Sequence, residues 1–61
     1  MKLKEWRIAN RYSQHMLAQL VGLKTGKSIY DYENGTIPKK ATIKKIEKIT
    51  DGKVTLKDFY S

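Results

Sequence analysis

The 61-residue chain contains no cysteine, which removes disulfides and thiolate metal sites together. It has one histidine, His15, and a single histidine cannot complete a zinc site. No stretch comes near the roughly 20 apolar residues that a membrane span requires. The start, Met1 to Arg7, carries charge with no apolar run behind it, so no signal peptide is expected. Catalytic constellations are missing as well. There is no nucleophile–histidine–acid set, no phosphate-binding glycine loop and no pair of carboxylates in an apolar setting. A chain this short also encloses a substrate pocket with difficulty. No enzymatic activity, cofactor, metal or small-molecule ligand is therefore expected. Acidic residues are scarce too. Six Asp and Glu face thirteen Lys and Arg, leaving a net charge of +7.

The length points to one domain over residues 1–61. Such a chain buries only roughly 60% of the surface its unfolded form exposes, so its stability is marginal without reinforcement. With disulfides and metals excluded, tight helix packing or dimerisation must supply it. The absence of cysteine also fits a reducing, cytoplasmic setting. The positive charge attracts polyanions, either nucleic acid or an anionic membrane surface. Nucleic acid is the first expectation. The plain alternative is a solvated lysine surface that only confers solubility.

Turn signals at Tyr12-Ser13, Gly22 to Gly26, Asn34-Gly35 to Pro38 and Asp51-Gly52 divide the chain into short pieces with helical spacing. The first piece, Lys2 to Arg11, is an amphipathic helix. Leu3, Trp6 and Asn10 share its inner face, with Ile8 flanking. Ser13 is the N-cap of a second helix reaching Val21, with Met16, Leu17, Leu20 and Val21 as its buried stripe. Ala18 is small enough to let a neighbour approach, and Gly22 suits a left-handed helix end. Thr25 is the N-cap of a third helix, Gly26 to Glu33, whose apolar positions are Ile29 and Tyr32. Asn34-Gly35 ends it through a left-handed residue. Pro38 opens a fourth helix with Ile43, Ile46 and Ile49 inward. Its lysines form either a solvated face or backbone contacts. In the tail, Thr55 and Asp58 pair as a capping box for a short helical turn, with a short strand as the alternative. Phe59 and Tyr60 either cap the core or form a dimer contact. The fold class is all-α: a compact bundle of four helices plus a short C-terminal helical turn.

Residues 13–34 carry the functional signal. Two short helices meet at a glycine-containing turn, and the second begins with small polar and basic residues. A helix that enters the major groove needs polar first-turn side chains to reach base edges, and an apolar inner face to pack on its neighbour. Its free N–H groups also suit phosphate contact.

Ser13-Gln14, Leu17-Ala18, Leu20-Val21-Gly22, Ser28-Ile29 and Tyr32-Glu33-Asn34-Gly35 stand in an order and spacing that resembles the Cro/repressor helix-turn-helix family, also called XRE-type. Leu3 to Arg7 resembles the family's first helix. Ile46 to Val54 with Asp58-Phe59 resembles its fourth helix and tail. The resemblance implies a lambda-repressor-like bundle and a repressor of phage or prophage type. It also implies a homodimer on double-stranded DNA. On this resemblance Gln14 contacts a phosphate and braces the recognition helix. Thr25, Lys27 and Asp31 face bases or nearby backbone, Asn34 meets phosphate, and Arg7 pairs with Glu33. Lys27 suits guanine acceptors, and Ser28 suits either base or backbone. Tyr30 is placed to donate to a phosphate, and Lys24, Lys39 and Lys40 to flank the backbone. Asp31 either accepts from a cytosine amino group or penalises wrong sites. Two features depart from the family pattern. Leu23-Lys24 makes the turn one residue longer, and Gly26 stands where a longer base-contacting side chain is common. The expected dimer surface is the Asp51–Ser61 tail with the end of the fourth helix. The rival readings are an antitoxin-like or adaptor protein that mainly binds a protein partner, and a non-specific nucleic-acid binder.

Overall fold

Leu3 and Trp6 fall on one face of α1 (Leu3–Ala9), and both are buried. The computed structural model describes residues 1–60. α1 is shorter than the expected Lys2–Arg11 because side chains close it at both ends. The Lys2 N–H donates to Glu5 Oε1 at 3.1 Å, and Asn10 Nδ2 donates to the Trp6 carbonyl at 2.8 Å. Asn10 is therefore exposed rather than part of the inner face, and Arg11 turns the chain with φ 59°. A helix of 7 residues does not persist alone. Packing holds it, with the Trp6 ring stacked on Tyr12 at a centroid distance of 5.7 Å.

Ser13 caps α2 (Gln14–Val21), its Oγ accepting from the Met16 N–H at 3.0 Å. Leu17, Ala18 and Val21 are buried. Met16 and Leu20 are 46% and 49% exposed and lie outside the core that their spacing predicts for them. α2 packs chiefly on α3 and α4, and the edge that carries Met16 and Leu20 faces solvent. The helix ends at Gly22 with φ 86°, and the Leu23 N–H returns to the Ala18 carbonyl at 2.8 Å. Leu23 then packs against the core.

α3 (Gly26–Glu33) has the expected bounds, but Thr25 makes no side-chain cap bond. Ile29 is fully buried, and Tyr32 packs edge-on against Phe59 at 6.5 Å. The pair expected to end the helix does so through Gly35, which takes the left-handed φ of 114°, while Asn34 has φ −114°. Asn34 closes the helix with its side chain, Nδ2 donating to the Tyr30 carbonyl at 2.7 Å.

α4 (Lys40–Ile49) starts two residues beyond Pro38, which is buried ahead of the helix rather than inside it. Ile43 and Ile46 are buried, and Ile49 packs on the core. Thr50 is buried after them. Its hydroxyl donates to the Ile46 carbonyl at 2.8 Å and accepts from the Val54 N–H at 3.1 Å. That bond turns the tail inward and buries Val54 completely. A 3-10 turn over Leu56–Phe59 follows, with the Thr55 N–H donating to Asp58 Oδ2 at 2.8 Å. The tail is thus helical, not a strand. Phe59 packs on the core while Tyr60 is 68% exposed.

Among the described residues there are four α-helices, one 3-10 turn and no strand. The fold measures 23 × 21 × 19 Å. Among the described residues no helix is long and apolar enough to cross a membrane.

Candidate nucleic-acid interface

The start of α3 lies directly on the start of α2. A Cβ added at Gly26 would stand 2.9 Å from the His15 nitrogen and 3.1 Å from the Gln14 carbonyl carbon. Only glycine allows this approach without movement of the backbone. The small residue at Gly26 is thus accounted for by its contact with α2 of the same chain. His15 itself is exposed.

The far end of α3 is held by charge. Arg7 Nε donates to Glu33 Oε2 at 2.7 Å, and Arg7 Nη2 donates to Glu33 Oε1 at 3.3 Å. Gln14 Nε2 donates to the same Oε1 at 3.1 Å, and Arg7 Nη1 donates to the Tyr12 carbonyl at 3.0 Å. The Glu33 side chain is 3% exposed, so its charge has left water and depends on these donors. Residues from α1, from the first turn of α2 and from the last turn of α3 thus meet in one network. Gln14 lies in it with one amide hydrogen bond already committed.

Orientation follows from the two fixed ends. Ile29 marks the buried side of α3, with Gly26, Tyr32 and Glu33 around it. At roughly 3.6 residues per turn, Lys27 and Asp31 project about 160° away from Ile29, one on each side. Tyr30 and Ser28 flank them at about 100°. Lys27 and Tyr30 are exposed; Ser28 and Asp31 are half-buried. Lys24 and Thr25 are exposed just ahead of α3, and Asn34 just after it. Because Thr25 forms no cap, the first-turn N–H groups of α3 have no side-chain acceptor there. Leu23 is absorbed by the core while Lys24 stays in solvent.

Lys39 and Lys40 are exposed at the start of α4. Lys40 borders a groove of about 380 Å³ lined by Ile37, Leu56, Tyr60, Lys44 and Glu47. This groove runs between the tail and α4, from Lys40 to Glu47 in the last turn of that helix. Ile49 packs on the core and Thr50 is buried. Ser61, the last residue of the expected surface, lies outside the described residues.

Three structural residues carry no clear mark in the sequence: Tyr12, Gly26 and Thr50. Tyr12 reads as a turn residue, and nothing local shows that its ring covers Trp6. Thr50 precedes a turn signal, which is the one hint that its hydroxyl has a backbone role. Among the described residues no group of His, Cys, Asp or Glu could hold a metal ion.

The sequence model of the helix-turn-helix family matches residues 3–56. Comparison with curated proteins and with solved structures gives no match.

Proposed function

This chain belongs to the helix-turn-helix family of Cro/repressor (XRE) type and is a DNA-binding regulator of that type, and on that premise we propose that it is a phage- or prophage-type repressor. It acts as a homodimer on a palindromic operator, with α3 in the major groove. The observation that carries this reading is the split between the two sides of α3. Ile29 is fully buried, Glu33 is locked to Arg7, and the opposite side is polar with Lys27 at its centre. Lys27 donates to the O6 and N7 acceptors of a guanine. Thr25 and Ser28 contact nearby base edges or sugar–phosphate, and Tyr30 donates its hydroxyl to a phosphate. Gln14, Lys24, Asn34, Lys39 and Lys40 contact phosphates. They fix register on the duplex and add salt dependence rather than sequence information. This function entails a cytoplasmic, nucleoid-bound protein acting as one domain over residues 1–61.

Dimerisation doubles a contact set that one copy of this size supplies only in part. The groove beside Ile37, Leu56 and Tyr60 supports a second copy as its occupant. Its rim carries Lys40 and Lys44 together with Glu47, and Glu47 makes no ion pair among the described residues. Under a two-fold axis the same patch meets itself, so Glu47 of one copy faces a lysine of the other.

Selection from random duplex DNA followed by footprinting tests the proposal. The expected result is a two-fold site with half-sites about 34 Å apart, or one helical turn. A single unpaired site removes the homodimer. Binding that selects no sequence and collapses at physiological salt removes specific recognition.

A further inference from the structure

Asp31 is the unusual residue on the exposed side of α3. With Lys27 it flanks the direction opposite the buried Ile29, so it stands at the centre of the surface offered to DNA. A carboxylate there is repelled by phosphates and lowers affinity for DNA in general. Among the described residues the Asp31 side chain makes no hydrogen bond or ion pair. Lys27 lies four residues earlier on the same side, yet the two form no ion pair. Their order is the less favourable one for a helical pair, with the cation N-terminal to the acid. The Asp31 main-chain carbonyl is occupied, accepting from the Asn34 and Thr36 N–H groups at 3.1 Å and 2.9 Å. The side chain is free to reach outward.

The major groove offers a carboxylate few partners. Guanine presents acceptors only, and thymine presents an acceptor and a methyl group. Adenine has an amino donor, but its N7 acceptor lies beside it and repels a second oxygen of negative charge. Cytosine presents an amino donor and no acceptor of its own. We propose that Asp31 is a base-reading residue that accepts from the N4 amino group of a cytosine. That cytosine lies within one helical turn of the guanine taken by Lys27. Each half-site then presents a guanine to Lys27 and a cytosine to Asp31, from the same G·C pair or from neighbouring ones. The loss of general affinity is what makes the acid selective: it is offset only where the amino group is present. This inference rests on the DNA-reading function proposed above.

The test is selection from random duplexes with the wild type, Asp31→Asn and Asp31→Ala, with helical content of each variant checked by circular dichroism. An asparagine amide offers a donor and an acceptor together, the pattern that fits adenine N6 and N7. The wild type is expected to favour cytosine over adenine by roughly tenfold or more at one position per half-site. Asp31→Asn inverts that preference at that position and leaves the others unchanged. Asp31→Ala flattens it and binds random duplex more tightly than the wild type. If both variants keep the wild-type preference at every position, Asp31 does not read bases, and the function proposed for α3 stands without it. If the wild type itself enriches no duplex sequence, the function proposed for α3 fails and this inference fails with it.

Discussion

The Arg7 guanidinium grips the Glu33 carboxylate through two hydrogen bonds, at 2.7 Å and 3.3 Å, and so ties α1 to the last turn of α3. Gln14 adds a third bond from α2. The network fixes the angle at which the exposed side of α3 is presented. It sits where both partners have largely left water, with side-chain exposures of 13% and 3%.

Glu33→Ala leaves Arg7 and Gln14 facing an empty site. Breaking one side of such a pair costs about 3–5 kcal/mol. That is a large share of the roughly 5–15 kcal/mol available to a small domain. Chemical denaturation is expected to show the variant unfolding at a clearly lower denaturant concentration than wild type. A midpoint unchanged from wild type would mean that the network adds no rigidity.

Gly26→Ala pits two effects against each other. Alanine favours the helix by about 1 kcal/mol over glycine. Its Cβ would meet the α2 backbone at 2.9 Å, and backbone cannot swing aside as a side chain does. Overpacking of this kind costs about 1–3 kcal/mol. The expected net result is a lower urea midpoint together with weaker operator binding, because α3 must shift. A variant more stable than wild type would show that the two helices separate easily.

Asp58 titrates below the ordinary carboxylate value of 3.8. The largest cause is the Thr55 N–H that its carboxylate accepts, followed by the hydrogen bond from the N-terminal ammonium. A carboxyl whose folded value is depressed stabilises the fold above its unfolded value. That contribution is lost as pH falls through the lower, folded value. The acid limb of unfolding, from about pH 4 downward, is therefore expected to be shallower in Asp58→Asn. Superimposable acid limbs would remove Asp58 from the balance.

Lys39→Ala and Lys40→Ala separate positioning from reading. Each is expected to weaken binding to all duplexes alike. Each also reduces the slope of log affinity against log salt by about 0.9 for one phosphate lost. Fluorescence titration at several salt concentrations measures this. A changed base preference in either variant would contradict the assignment.

Much of the fold is legible in the sequence because its boundaries are local. Ser13 and Gly22 mark the ends of α2 through a cap and a left-handed residue, both set by a few neighbouring atoms. The all-helical class follows from spacing alone. Met16 and Leu20 mislead because helical periodicity defines an apolar stripe without saying how much of it a small bundle can cover. Asn34 and Gly35 are both suited to a left-handed turn, and which of them takes it depends on the bond from Asn34 to Tyr30. Gly26 is the instructive case at the candidate site. Its reason lies in the backbone of His15, eleven residues earlier, a proximity that only the packed helices create. The bond between Arg7 and Glu33 spans 26 residues, and no periodicity reveals it; family resemblance suggests the pair.

Titration of a selected operator with wild type and Lys27→Ala, each against duplexes substituted one base pair at a time, tests the reading of α3 most directly. The wild type is expected to lose roughly tenfold or more when the guanine facing Lys27 is replaced, and Lys27→Ala to be indifferent at that pair alone. Identical base preferences for the two proteins would contradict the account.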